Sequence, residues 1–446
     1  MAVQEARFSG MLNQLFKISQ RGSSVRTEII AGITTFLTMG YILFVNPSIL
    51  GLGGDGLPFG QVLSVTALAA GVMTIAMGIF GNYPFAIAAG LGLNAFVAYA
   101  LVGGGLTFPQ AMGVVVAEGL LITLLVITGV REAIVDAIPM DLKRAIGIGI
   151  GAFIALIGLV EAGIVSPEGA TPLALGANLT SQPVAVFLVG FVITAGLVAR
   201  RVKGALLIGI VVSTAMAVLV GVSSLPQDGI VAMPDFSLIG AFDFSFVEAL
   251  GWGTALAVVV SVALSDFFDT MGTVVGIGGE ANLLDKDGKL PGMRNVLLVD
   301  SLAAVVGGLT SSSSNTTYIE SASGVAEGGR TGLASVVTGL LFLAMMFVSP
   351  LAGVVPAQAT APALVIVGYF MMTLVKDIKW SDPGIGIPAL LTILLMPFTY
   401  SITNGVGAGF LAYVILAALR GKAEEVHWLL WIVAIVFAWY FVHGAI

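Results

Sequence analysis

The 446-residue chain contains no cysteine. Disulfides, thiolate chemistry and Cys-ligated iron–sulfur clusters are therefore excluded. Histidine is nearly absent as well: His427 and His443 both lie near the C-terminus, too few for a His-rich metal site. Charge is scarce. Asp, Glu, Lys and Arg make up 10% of the residues, against about 25% in an ordinary soluble domain. The net charge of -7 disfavours nucleic acid as a partner. The sequence has no Walker A motif and no dinucleotide fingerprint, and its longest expected inside loop, 279–294, is too short to form an ATP-binding domain. Nor does it carry a TVGYG filter or an S4-like ladder of basic residues. No nucleophile–base or metal constellation supports an enzyme, and no cofactor is implied. The polar, basic stretch before residue 27 lacks the apolar core of a signal peptide and reads as a cytoplasmic lead-in.

What the chain does have is apolar surface. Hydrophobic residues reach 58%, and glycine occurs 58 times. Apolar windows of bilayer-crossing or near-crossing length recur at 28–47, 60–80, 84–102, 110–129, 142–160, 183–199 and 202–219. A loop at 220–253 without Lys or Arg follows. Windows then resume at 254–278, 295–310, 314–328, 332–349, 358–375, 385–399 and 402–419, with a last stretch at 427–444. The 18 basic residues fall at 7–26, 131–144, 200–203, 286–294, 330, 376–379 and 420–422. If the N-terminus is cytoplasmic, every cluster lands inside, as the positive-inside rule requires. The expectation is an all-α polytopic membrane protein of fourteen transmembrane segments, with 427–444 either a further crossing or an interfacial helix.

Seven segments, a long outer loop and seven more segments imply that the second copy inserts upside down. A faint echo agrees: Phe36-Leu37-Thr38-Met39-Gly40 resembles Phe268-Asp269-Thr270-Met271-Gly272. Inverted repeats of this kind underlie alternating access, with substrate held at mid-depth where helices break. The third segment of each half is where breaks are expected. One is rich in glycine and carries Asn94; the other reads GGLTSSSSNTTYIESASGVAEGGR. Its serines, threonines, Asn315 and Glu320 cannot face lipid without partners. Extended backbone is expected over 311–318 and a half-helix over 319–328, although 311–314 also suits a hydrophilic outer loop.

Five acids fall inside apolar segments: Glu118, Asp266, Asp269, Asp300 and Glu320. Each is costly in hydrocarbon unless paired or facing a cavity. Asp266 and Asp269 share a helix face, and two close carboxylates in low dielectric favour holding a proton between them. Asp266, Asp269 and Glu320 are therefore the candidates for proton coupling. For Glu118 a helix-packing network competes with a functional role, and for Asp300 a satisfied structural carboxylate is the favoured reading. Tyr318, Phe267 and Phe268 are able to stack on a flat ligand, with ordinary core packing as the alternative. These residues suit a secondary transporter. The alternatives are an uncoupled facilitator or a carrier of another solute, such as a pyrimidine or an anion, on the same inverted-repeat fold. An anion carrier should present basic groups or bare helix dipoles at mid-depth, whereas here acids gather.

Three segments, EIIAGITTFLTMGYILFVNPSIL (28–50), SDFFDTMGTVVG (265–276) and SSSNTTYIESASGVAEGGRTG (312–332), together with 386–409, resemble the nucleobase–cation symporter 2 superfamily. The similarity is to its AzgA-like branch of adenine, guanine and hypoxanthine permeases, and it covers essentially the whole chain. The resemblance implies two inverted seven-segment repeats with short strands in segments 3 and 10. It implies a cytoplasmic N-terminus at 1–27, a core domain from 28–129 and 254–349, and a gate domain from 130–219 and 350–446, with 220–253 extracellular. It implies import of a purine nucleobase with protons by a multi-pass protein of the cell membrane, in contact with lipid and paired as a homodimer. Carried over by motif, the substrate-contacting acids fall on Asp269 and Glu320 and the segment 3 asparagine on Asn94. Phe268, Thr270 and Ser321 complete the expected substrate-binding set.

Overall fold

The computed structural model describes residues 10–129, 138–168, 171–176, 178–225, 229, 231–281, 283, 290–352 and 354–443, without the side chains of a few residues inside these ranges, Phe268 among them. The first membrane-length helix is broken in the middle. Helix α1 (Val25–Met39) starts at Ser24, whose side chain accepts the Thr27 N–H, and stops at Gly40. Helix α2 (Ile42–Leu50) resumes directly, with Pro47 inside it. Helix α3 (Phe59–Ala76) continues through a π-helical turn, Met77–Gly81. The chain then becomes extended: strand β1 (Ile87–Ala89) leads into the short helix α4 (Leu91–Ala95) and a π-helical stretch, Phe96–Val102. Helix α5 (Phe108–Thr128) opens on a Thr107/Gln110 capping box with Pro109 in its first turn, and ends at Gly129, whose φ of 74° only glycine adopts freely.

Helix α6 (Met140–Glu161) is followed by a hairpin, β2 (Val165–Glu168) and β3 (Thr171–Leu175), which the sequence had not suggested. Helices α7 (Gln182–Ala199) and α8 (Ala205–Leu219) complete the first half. After the long loop come α9 (Phe246–Leu250), α10 (Trp252–Glu280) and α11 (Met293–Leu309). Strand β4 (Asn315–Thr317) and the six-residue helix α12 (Ser321–Ala326) follow. Then come α13 (Gly332–Met345), α14 (Ser349–Ala352), α15 (Ala357–Met372), α16 (Pro383–Phe398), α17 (Ile402–Leu419) and α18 (Trp428–His443).

Among the described residues, seven helices are long and apolar enough to cross a membrane, and six shorter apolar helices accompany them. That is fewer long helices than the fourteen apolar windows, and the reason is physical. Segment 84–102 is part strand and part short helix, and 314–328 is a strand followed by α12. Helix α10 is 29 residues long but carries Asp266, Asp269 and Glu280 in its second half. Helix α7 is apolar yet only 28% of it is buried. Its exposed Leu188, Val189 and Val192 form a face suited to lipid and unsuited to water.

Close helix crossings are made by glycine. Gly71 and Gly78 of α3 and its extension lie against Gly339 and Gly332 of α13; a Cβ on Gly332 would sit 1.8 Å from the Gly78 carbonyl oxygen. In α6, Gly151 meets Gly368 of α15 in the same manner. With no hydrophobic effect between lipid-embedded helices, small residues let backbones approach and gain dispersion contact.

Candidate functional site

Strands β1 and β4 pair antiparallel, Ile87 with Thr317, Ala88 with Thr316 and Ala89 with Asn315. Every one of these residues is buried. Two three-residue strands satisfy few of their own backbone groups, so side chains supply the rest. Thr74 Oγ1 accepts the Ile87 N–H and donates to the Ile87 carbonyl, both at 2.9 Å. Ser321 Oγ accepts the Ala86 N–H at 2.9 Å. The Tyr318 hydroxyl donates to the Ala89 carbonyl, and its own N–H reaches the Ala86 carbonyl at 2.9 Å. Upstream, Ser311 and Ser313 adopt left-handed backbone, with φ of 58° and 70°. The run Ser311–Ser314 is buried, so the surface-loop reading of 311–314 gives way to a packed turn.

Asp300 of α11 is satisfied by this framework. Its Oδ1 accepts the Thr317 N–H (3.0 Å) and Thr317 hydroxyl (2.8 Å), and its Oδ2 accepts the Thr270 hydroxyl (2.7 Å). Thr270 also pairs with Thr316 at 2.7 Å. Thr270 and Ser321 are thus fully buried and engaged with protein groups. Phe267 is packed in the core, and the Phe268 side chain lies outside the described residues.

The acids divide by accessibility. Glu118, Asp266 and Asp300 are fully buried. Asp269 and Glu320 are only half-buried, and they lie within electrostatic reach of one another. Glu320 directly precedes α12, and its Oε1 accepts the Tyr41 hydroxyl at 2.6 Å. Tyr41 sits at the break between α1 and α2, and Asp269 interacts electrostatically with both Tyr41 and Tyr318. Asn94, on α4, donates through Nδ2 to Asn46 Oδ1 (2.9 Å). Asn46 donates in turn to Thr66 Oγ1 (2.8 Å) and the Ser312 carbonyl (3.0 Å). The Asn94 amide oxygen is buried without a hydrogen bond. Tyr41 and Asn46 were not among the expected residues. The signal for both was present: a tyrosine and an asparagine inside an apolar window, each of which needs a partner there.

At the end of the bundle where basic residues gather, Glu28 of α1 accepts backbone donors just ahead of α13. Its carboxylate accepts the Arg330 N–H (2.9 Å) and the Thr331 N–H (3.2 Å). Arg21 donates to the Arg330 carbonyl (3.0 Å) and to the Asn82 carbonyl, and lies 4.4 Å over the Tyr83 ring. Lys203 and Glu327 form an ion pair.

Paired half-segments around partly exposed acids are an arrangement found in membrane carriers. Residues 26–438 match the family model described as Permease family, Xan_ur_permease. A putative permease of Methanocaldococcus jannaschii is 42% identical over 97% of this chain and 98% of its own length. The adenine permease AdeP of Escherichia coli K12 is 41% identical over 96% of this chain and 95% of its length. The guanine/hypoxanthine permease PbuO of Bacillus subtilis is 41% identical over 95% and 98%. The chain belongs to this permease family, within the nucleobase–cation symporter 2 superfamily, and is a multi-pass membrane protein. In fold it is similar to the transmembrane domain of a cyanobacterial bicarbonate transporter, BicA. The TM-score is 0.64 at 15% identity, covering 86% of this chain and 97% of that one.

Proposed function

We propose that the protein imports a purine nucleobase together with protons, by alternating access. The observation that carries the reading is the division among the acids: Asp269 and Glu320 stay half-accessible beside the strand pair while the others are sealed. Two carboxylates suit a neutral planar ligand rich in N–H donors, because each accepts a charge-assisted hydrogen bond. Asn94 is held by Asn46 with its amide oxygen still lacking a donor, which suits one more ligand N–H. The half-helices carry few polar alternatives at this depth, so an unfilled site is costly and a matching ligand is selected. Phe268, whose side chain lies outside the described residues, is assigned to the base by its motif alone. Thr270 and Ser321 act by holding the acids and strands in register. A proton on Asp266, Asp269 or Glu320 lowers the charge of the site for the crossing.

Fourteen segments in two inverted repeats support this cycle. Each half contributes a strand followed by a short helix, β1 then α4 and β4 then α12. Residues 28–129 and 254–349 form the core domain that carries substrate. Residues 130–219 and 350–446 form the gate against which it moves, and pair the homodimer. The N-terminus is cytoplasmic, with the basic residues inside. The relatives named for adenine and for guanine/hypoxanthine support the ligand class.

The test is uptake of radiolabelled adenine and guanine by cells lacking their own carriers, each competed by the other. Uptake should collapse on adding a protonophore, and in Asp269→Asn and Glu320→Gln at normal membrane insertion. Wild-type uptake by either variant refutes the site.

A further inference from the structure

One buried acid has no part in that cycle. Glu118, on α5, is fully buried. Its Oε1 accepts the Ser314 hydroxyl at 2.6 Å, and its Oε2 has no hydrogen-bond partner. Across from it on α10 stands Asp266, also fully buried, with the Thr316 hydroxyl as its one polar neighbour and no hydrogen bond of good geometry. The two interact electrostatically. Helix α5 is pressed against α11 here: a Cβ on Gly119 would lie 2.6 Å from the Val305 nitrogen, and one on Gly308 2.8 Å from the Val116 nitrogen.

The groups facing the pair are acids. Asp266 also senses Asp300 and Asp269, and Glu118 senses Asp300. Glu320 lies beyond Asp269. On the other elements packed against α5 and α10, ionisable groups are engaged elsewhere. Arg294 donates to the Ile127 carbonyl at the inner end of α11, and Asp141 pairs with Arg144 on α6. Tyr440 donates to Asn404, Tyr99 to Glu161, and Glu248 is exposed. Two ionised carboxylates sealed together without a cation are prohibitively costly. One proton held on the pair removes a charge and turns one carboxylate oxygen into a donor.

We propose that Glu118 and Asp266 form a proton-holding pair, separate from the carboxylates that receive substrate, and that it carries the coupled proton. This rests on the transport reading above and assigns the proton to a site. The link to substrate is Ser314. Its hydroxyl holds Glu118, and its carbonyl accepts the Gly90 N–H at 2.8 Å, just past β1. When the pair loses its proton, the charged Glu118 draws on the Ser314 hydroxyl more strongly, and the turn that sets β4 against β1 responds. The proton comes from water on one side and returns to water on the other, and no other bond changes.

The experiment uses the full-length protein in proteoliposomes with radiolabelled adenine. Under a gradient of about one pH unit, a one-proton symporter accumulates substrate about tenfold. Glu118→Gln should lose that accumulation while adenine binding and adenine–adenine counterflow stay within about twofold of wild type. Glu118→Asp, which keeps a carboxyl, should regain gradient-driven accumulation with a shifted pH midpoint. Full accumulation by Glu118→Gln overturns the proposal, as does equal loss in both variants, which marks a packing role. If Glu118→Gln does not insert, Ser314→Ala decides: a shifted pH midpoint of accumulation supports the pair and an unshifted one overturns it. Absence of adenine and guanine binding by the wild type is a different result, and it overturns the transport reading itself.

Discussion

Replacing Asp300 separates a carboxylate used as a scaffold from one used in the cycle. In Asp300→Asn the shape is kept. The amide oxygen in place of Oδ1 still accepts both Thr317 donors. The amide nitrogen in place of Oδ2 donates to Thr270 Oγ1, whose hydrogen turns to Thr316 Oγ1 at 2.7 Å. All three bonds survive as neutral ones. A bond to a charged group contributes about 1.5–3 kcal/mol and a neutral one about 0.5–1.5 kcal/mol, so the exchange costs about 3–4.5 kcal/mol over three bonds. Against this stands the several kcal/mol of desolvation that burying a carboxylate charge requires. The net change should lie within about 2 kcal/mol. Asp300→Ala leaves the Thr317 N–H and hydroxyl buried without an acceptor, at about 1–3 kcal/mol each, and adds a cavity where the carboxylate stood. The assay is thermal unfolding in detergent followed by fluorescence size-exclusion, with uptake measured on the same preparations. Asp300→Asn should melt near wild type and transport within about fivefold of it, while Asp300→Ala should fail to yield folded protein. Wild-type melting with no transport in Asp300→Asn would refute the reasoning, because the charge itself would then be in use.

Three further outcomes follow from the same contacts. Tyr41→Phe removes the donor on Glu320 and should raise the KM for uptake about tenfold or more at unchanged protein level, the equivalent of one charge-assisted hydrogen bond; an unchanged KM argues that Glu320 is aimed by something else. Gly332→Ala drives a methyl into the Gly78 carbonyl and should abolish stable protein by size-exclusion, whereas Gly147→Ala, which meets open space, should not. Asp382, exposed at the start of α16, is held below the ordinary carboxylate range by the Gly384 N–H and by Arg420. Its stabilisation is complete above the unfolded value of about 4 and is lost as pH falls through the lower folded value. Asp382→Asn should therefore melt earlier than wild type at neutral pH and match it once the pH falls below the folded value, and a gap that persists in acid contradicts this.

The membrane class was legible because lipid tolerates so few charges that 10% composition and long apolar windows decide it. The breaks near 81–105 and 307–330 were legible for the same reason: a run of Ser, Thr, Asn and Gly cannot form a lipid-facing helix. Strands Ile87–Ala89 and Asn315–Thr317 lie inside those two windows. The favoured reading of Asp300 as a satisfied carboxylate also matches its three donors. What the pattern did not reveal was pairing. Tyr41 meets Glu320 across 279 residues and Ser314 meets Glu118 across 196. No local periodicity encodes such contacts. The hairpin at 165–175 was likewise silent, since strands of four and five residues are too short to show a periodic hydrophobic signal.

The sequence by itself determined that the chain lives in a bilayer, where its basic residues cluster, and that five acids are stranded among apolar segments. Composition suffices for this because the cost of a charge in hydrocarbon does not depend on the fold. Only the tertiary structure decided what each acid is for. Asp300 is hydrogen-bonded into the strand framework, Glu118 and Asp266 are sealed with fewer donors than their oxygens can take, and Asp269 and Glu320 stay partly exposed. Those fates depend on which distant hydroxyl or amide reaches each oxygen, and that is set when β1 and β4, 225 or more residues apart in their register partners, are brought together.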